Sequence, residues 1–150
     1  MRFSLQKYKH FLKPAIHVVI IFLRFLCNQK NIRTFAIANG YDYLPMKQEK
    51  VIERIKETAE RILPPGASLW LYGSRARGDA RPDSDYDLLI LLDKDKLSFH
   101  DYDNYTYPLC ELGIDVDAEI NPQIYVRKDW MTWWRAPFYK NVEQDKIILR

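Results

Sequence analysis

The chain has 150 residues, of which 47% are apolar, so it can form one domain of ordinary size with a proper core. The formal net charge of +3 at pH 7 conceals two unlike segments: residues 1–45 contain 7 Lys/Arg and 1 acid, whereas residues 46–150 contain 16 Lys/Arg and 19 Asp/Glu. Because phosphate neutralisation supplies most of the non-specific affinity for nucleic acid, the acidic balance of residues 46–150 argues against a DNA or RNA substrate.

Residues 1–45 read as a basic, partly apolar extension. Their apolar run, residues 15–23, ends at Arg24 and is well short of the roughly twenty apolar residues that a membrane-spanning helix needs. No small-residue cleavage pattern of a secretory signal follows it. We interpret residues 1–45 as the product of a misplaced start codon, with Met46 as the initiator and residues 46–150 as the functional domain.

The cysteines indicate a reducing compartment. Cys27 and Cys110 are far apart and are the only cysteines in the sequence, so they form no disulfide framework. Together with the absence of a recognisable membrane anchor, this predicts a cytoplasmic protein that does not engage a membrane.

An amphipathic helix and a buried strand are predicted after Met46. Apolar residues recur at helical spacing over residues 51–63, and Pro64-Pro65-Gly66 should end the helix. The apolar stretch Ser68-Leu69-Trp70-Leu71-Tyr72 then predicts a strand.

A Gly-Ser turn follows this strand and indicates an anion site. Gly73-Ser74, with a short helix over residues 74–78, would present backbone N–H groups and a hydroxyl together, which suits a triphosphate. Arg77 and Arg81 lie close enough in sequence to neutralise triphosphate charge. We therefore expect Gly73, Ser74, Arg77 and Arg81 to bind a nucleotide.

The next predicted strand begins with two acids. Side chains alternate along residues 85–92, which places Asp85 and Asp87 on one face and Tyr86, Leu88 and Ile90 on the other. Two carboxylates on one face of a strand can hold magnesium between them.

A third acid is expected, because two magnesium ions that clamp the attacking and leaving oxygens of a displacement need more than two carboxylates. Residues 114–120 alternate acidic and apolar side chains, which predicts a strand with Asp115, Asp117 and Glu119 on one face. Asp117 is the preferred third ligand, since it lies in the middle of this strand, and Asp115 is the second choice.

The remaining segments predict helices and one more strand. Residues 97–112 favour a helix interrupted at Pro108. An aromatic stripe at helical spacing follows and is more typical of a core than of a binding surface; it contains Trp130, Trp133, Trp134 and Phe138. Residues 147–149 complete a pattern of helices packed on a sheet.

The run from Gly73 to Gly78, its spacing to Asp85-Tyr86-Asp87 and the later acidic segment resemble the minimal nucleotidyltransferases of the DNA polymerase β superfamily. The resemblance covers roughly the last hundred residues, the usual size of a small domain. It implies an α/β (α+β) fold with a small mixed β-sheet and helices packed on one face. It also implies ATP as donor, two Mg²⁺ ions, and transfer of a nucleoside monophosphate to a hydroxyl.

The same resemblance implies a role for each motif residue. Gly73 and Ser74 would bind the β and γ phosphates. Asp85 and Asp87 would ligate both metal ions, and Asp117 would join them and help to deprotonate the acceptor.

The Gly-Ser turn and its spacing to the Asp-x-Asp pair resemble in particular the antitoxin type, which transfers AMP from ATP to a tyrosine of a HEPN-type ribonuclease toxin. Relatives that modify aminoglycosides or RNA generally carry an added domain for the acceptor, so a protein partner is expected here. Two alternatives stay open. One is a small-molecule nucleotidyltransferase that works as a homodimer, and the other is a non-catalytic module that neutralises its partner by contact alone.

Overall fold

The computed structural model describes residues 46–150, so the interpretation of residues 1–45 lies outside the described part of the chain. Within residues 46–150, no helix has the length and apolar character needed to cross a bilayer. In chain order the elements are α1 (Gln48–Ile62), β1 (Ser68–Tyr72), α2 (Ser74–Arg77), β2 (Tyr86–Leu92), α3 (Phe99–Asp101), a π-helical turn (Tyr102–Thr106), α4 (Tyr107–Asp115), β3 (Ile120–Val126), α5 (Arg127–Thr132), α6 (Pro137–Asp145) and β4 (Ile147–Ile148).

The strands form a mixed sheet in the order β3-β2-β1-β4. Strand β1 pairs antiparallel with both β2 and β4, whereas β2 and β3 are parallel. The α/β fold with a small mixed sheet is therefore confirmed.

The first face of the sheet is covered by α1 and α4. Strand residues Leu71, Leu88 and Ile90 are fully buried there, together with Ile55 of α1 and Leu109 of α4. Each such side chain contributes roughly 1.5–3 kcal/mol when it leaves water. The helical period of α1 and the side-chain alternation of β2 thus agree with the prediction from sequence. Asp85 and Asp87 lie on the opposite face of the sheet from these buried residues.

The second face is covered as well, by the two helices near the end of the described chain. Trp130 of α5 and Val142 of α6 are fully buried against Leu89 and Leu91 of β2. Aromatic rings pack closely on this face, and Trp130 meets Phe138 edge to face with ring centroids 5.6 Å apart. Helices therefore lie on both sides of the sheet and not on one face as expected, because β2 is apolar on both faces after Asp87.

The predicted single aromatic stripe is wrong. Helix α5 ends at Thr132 and α6 begins at Pro137. The four aromatic residues, Trp130, Trp133, Trp134 and Phe138, therefore do not share one helix. Only Trp130 enters the core completely, while Trp133 and Trp134 remain 42% and 56% exposed.

The predicted acidic strand over residues 114–120 is also wrong, because α4 continues to Asp115. The helix ends in a Schellman motif, in which the Ala118 N–H donates to the Gly113 carbonyl at 2.9 Å and Asp117 adopts the left-handed conformation with φ 48°. A side chain at Gly113 would approach the Ala118 carbonyl to 2.5 Å, so this fold-back needs glycine. The alternation of acids and apolar residues reflects a helix end and not a strand.

Strand β3 begins only at Ile120 and contains Pro122. Proline removes a ladder donor and is tolerated mainly on edge strands, and β3 lies at one end of the described sheet. This explains why residues 120–126 do not read as a strand from sequence.

The helical region before α4 differs from its prediction at Pro108. The proline does not interrupt a helix but lies in the first turn of α4, where a missing N–H costs little. The irregularity falls earlier, in the π-helical turn Tyr102–Thr106.

Candidate active site

The Gly-Ser turn packs directly on the acidic pair. Gly73 follows β1 with φ 74° and ψ −156°, and a Cβ atom placed on it would lie 2.6 Å from Asp87 Oδ2. The pairing of Tyr72 with Asp87 across β1 and β2 sets this approach. Glycine is thus required both by the conformation and by the closeness of the carboxylate. The turn and the aspartates form one continuous site, with Ser74 as the first residue of α2.

Asp85 directly precedes β2, Asp87 is the second residue of that strand, and both are partly buried. Burial, and secondarily the charge of Asp85, raise the pKa of Asp87 above its usual range, while the neighbouring Asn121 amide and the charge of Arg77 oppose this shift. Negative charge is therefore concentrated at a point with restricted access to water, which is what a divalent cation offsets.

Asn121 is a site residue that the sequence reasoning missed. It stands in register with Asp87 on the neighbouring strand β3, and its Nδ2 donates to Asp85 Oδ2 at 3.0 Å. The signal was concealed because the strand was expected over residues 114–120, before Asn121. A strand placed at residues 120–126 would have brought this amide beside the aspartates.

The structure does not place the three preferred carboxylates on neighbouring strands. Asp117 occupies the left-handed turn before β3. Asp115 ends α4 and lines a separate cavity of about 360 Å³, together with Arg54, Arg61 and Glu111. Among residues 46–150, no three Asp, Glu, His or Cys side chains are arranged to hold a metal ion. The prediction that a strand aligns Asp115 or Asp117 with the acidic pair is therefore wrong, since neither residue lies on a strand.

Glu119, the third member of the predicted acidic face, precedes β3 directly. Its carbonyl accepts a hydrogen bond from the Tyr86 N–H at 2.8 Å, which sets it level with the start of β2. Its side chain is exposed.

The loop between α2 and β2 is held by Arg75. Its Nη2 donates to the Ser84 carbonyl at 2.7 Å and to the Pro82 carbonyl at 3.1 Å, and its guanidinium lies 4.6 Å from the centre of the Tyr86 ring. Arg75 thus shapes the approach to Asp85, because it binds the carbonyl of Ser84, the residue just before Asp85.

The two arginines expected to bind phosphate have different surroundings. Arg77 Nη1 lies 2.6 Å from Asp145 Oδ2 and Arg77 Nε lies 3.2 Å from Asp79 Oδ2. Hydrogen bonds to Asp145 and Asp79 raise the pKa of this already basic group. Arg81 is exposed; its backbone N–H donates to Ser84 Oγ at 2.9 Å, and its guanidinium makes no hydrogen bond or ion pair with any part of residues 46–150. Arg81 is therefore better placed to meet an added anion.

These donors fit a divalent cation that arrives with a nucleotide. Magnesium is usually held in such sites by one or two carboxylates together with substrate phosphates and water. Asp85 and Asp87 supply the carboxylates, and the Gly73 turn, which has no side chain, lets the Asp87 carboxylate lie directly against its backbone.

The chain is similar to known proteins over the part that contains this site. The family model of the nucleotidyltransferase domain matches residues 52–146, which include the Gly-Ser turn and both aspartates. A crystal structure of a toxin-antitoxin with AMP-PNP is similar over 66% of this chain and 72% of that chain, with 17% sequence identity and a TM-score of 0.47. The curated proteins give no match. On the family match, which spans most of the described residues, the chain belongs to the nucleotidyltransferase domain family.

Proposed function

We propose that this protein binds ATP with Mg²⁺ and transfers AMP to a tyrosine hydroxyl of a HEPN-type ribonuclease toxin, and thereby acts as a cytoplasmic antitoxin. The observation that carries the proposal is the contact between the Gly73 turn and Asp87, which puts backbone N–H groups suited to a phosphate beside two carboxylates suited to a cation. Membership of the nucleotidyltransferase domain family supports the reaction class.

The reaction would proceed by displacement at the α-phosphorus. The tyrosine oxygen forms a bond to that phosphorus, the bond from the α-phosphorus to the oxygen bridging the β-phosphate breaks, and pyrophosphate leaves with the electron pair. The hydroxyl proton passes to a base, for which we propose Asp117, because its turn leads directly into the strand beside Asp87.

Each motif residue has a defined task in this reaction. Ser74 Oγ and the N–H groups of the turn would donate to the β and γ phosphates, and Arg81 would balance their charge. Asp85 and Asp87 would hold the cation, which when bound neutralises phosphate charge and orients the α-phosphate.

A protein acceptor agrees with the surface of the described chain. The net charge of residues 46–150 is −3, from 16 Lys/Arg and 19 Asp/Glu, which disfavours a nucleic-acid acceptor. Trp133, Trp134 and Met131 are exposed near one another in sequence and are residue types that protein interfaces favour.

The proposal is tested by incubating the full chain with α-labelled ATP and Mg²⁺, with and without a HEPN-type protein encoded beside it. We expect label on the partner and its loss with Asp85→Asn. Asp93→Asn is the matched control, because Asp93 is exposed beyond the other end of β2 and pairs with Arg127. Full labelling by Asp85→Asn contradicts the metal-site assignment. Label on an added small acceptor instead of the partner would favour the small-molecule enzyme.

A second candidate function is the non-catalytic antitoxin-like module, and Asn121 is the observation that favours it. The uncharged Asn121 amide, which donates a hydrogen bond to Asp85, stands where a two-metal reaction would use a carboxylate. This function predicts nucleotide binding and inhibition of the partner, with no label transferred to it.

A further inference from the structure

We infer that the nucleotide site holds one divalent cation and not the two expected from sequence, because Asn121 occupies the position of a third carboxylate. The inference rests on the proposed nucleotide and metal site, but not on transfer to any particular acceptor. It follows from a disagreement between the residues present and a two-ion site.

The position of Asn121 is fixed by the sheet. Asp87 has two neighbours across the sheet, Tyr72 on β1 and Asn121 on β3. Residues opposite one another on adjacent strands point to the same face, so these are the side chains placed to join Asp87 in binding a ligand. Neither neighbour is a carboxylate.

The chemistry of Asn121 limits the number of ions. Its Nδ2 donates to Asp85 Oδ2 at 3.0 Å, and its Oδ1, although able to ligate a cation, carries no negative charge. The remaining carboxylates, Asp85 and Asp87, carry two negative charges, which one divalent ion balances. A second ion would have no carboxylate beyond the two that the first ion already engages.

Glu119 is the acid that could contradict this count. It is level with the start of β2, and its exposed side chain is long. Recruitment of Glu119 when nucleotide binds would supply the missing carboxylate, so the experiment includes Glu119→Gln.

The ions are counted by equilibrium dialysis of the full chain against Mn²⁺ and α,β-methylene-ATP, whose α–β linkage cannot be cleaved. We expect one Mn²⁺ per nucleotide-bound chain for the natural protein and two for Asn121→Asp. Gln123→Glu is the matched control, because it adds an acid to the same face of β3 but opposite Leu89, and one ion should remain.

Two ions bound to the natural protein would overturn the inference, and a fall to one with Glu119→Gln would identify the residue responsible. Absence of bound Mn²⁺ would overturn it too. Because this readout does not involve transfer, a two-ion protein that labels its partner leaves the proposed function standing. A one-ion protein that labels nothing leaves the inference standing.

Discussion

Gly73 combines an unusual backbone conformation with direct contact to a functional carboxylate. Its φ of 74° lies in the region that favours glycine, and the space where a Cβ would stand is filled by Asp87 Oδ2 at 2.6 Å. Both features have the same cause. Tyr72 pairs with Asp87, and the chain turns out of β1 at the next residue, Gly73.

Gly73→Ala should therefore lower both stability and ligand binding. Backbone strain costs about 1 to 3 kcal/mol, and the new methyl group must also displace Asp87. Urea unfolding and binding of a fluorescent ATP analogue measure the two effects.

Gly78→Ala serves as its control. Gly78 has φ 81°, but nothing lies within 4 Å of its Cβ position. This variant should show the loss of stability without the loss of nucleotide binding. Equal loss of binding in both variants would contradict the role given to the contact of Gly73 with Asp87.

Asp117 has a structural position and a proposed chemical role that can be separated. Asparagine tolerates the left-handed conformation as well as aspartate does, so Asp117→Asn should leave the fold intact. Loss of the base should lower the rate of AMP transfer by about a hundredfold or more.

Asp115→Asn is the comparison for this variant, because Asp115 lies at the end of α4 in a different cavity. Its transfer rate should stay near that of the natural protein. The reverse result would assign the base to Asp115, and unchanged rates in both would remove both residues from the mechanism.

A buried acid caps the start of the helical segment from α3 to α4. Asp101 accepts a hydrogen bond from the Ser98 N–H at 2.6 Å and pairs with Lys94 Nζ at 2.7 Å. Burial alone would raise the pKa of Asp101, but the hydrogen bonds from Lys94 and Ser98 outweigh it and hold this pKa below its usual range. The capping box fixes the start of α3 in this way.

A depressed pKa in the folded state contributes stability that is present above the unfolded value of about 4 and is lost as pH falls through the folded value. Asp101→Asn should therefore cost about 2 kcal/mol at neutral pH and flatten the acid side of the stability profile. Urea unfolding from pH 7 down to pH 3 measures both. Asp103→Asn, at an exposed position in the next helical turn, should leave the profile unchanged. An equally steep acid limb in Asp101→Asn would contradict the assignment.

Two apolar layers on a mixed sheet hold the described domain together, and Trp130 anchors the second layer. Its ring is fully buried and contacts Tyr139 at 5.0 Å between centroids, while its Nε1 is buried without a hydrogen-bond partner in residues 46–150. The packing of the ring therefore outweighs the cost of the unsatisfied N–H.

Trp130→Ala should lower the free energy of unfolding by about 3 to 5 kcal/mol, because it leaves a large cavity. Trp134→Ala, at an exposed site, should cost less than about 0.5 kcal/mol. Thermal or urea unfolding compares them. Similar losses in the two variants would show that the second face does not depend on Trp130.

Local patterns were sufficient to predict α1, β1, the Gly-Ser turn and the strand that carries Asp85 and Asp87. Their signals are confined to short stretches, namely helical period, an apolar run and alternation. The end of α4 and the start of β3 could not be predicted in this way. The alternation of acidic and apolar residues over 114–120 is coincidental, because a helix ends there. Pro122 is unfavourable in most strands, and it is tolerated in β3 because β3 lies at the edge of the described sheet. The pairing of Asn121 with Asp87 depends on that strand, so it emerges only from the folded sheet.

Mass spectrometry of the HEPN-type partner, after incubation with the full chain, ATP and Mg²⁺, tests AMP transfer most directly. We predict a gain of one AMP on a tyrosine of the partner, absent when Asp87→Asn replaces the natural protein. An unmodified partner in a mixture where the natural protein demonstrably binds ATP and the partner would contradict the transfer reaction.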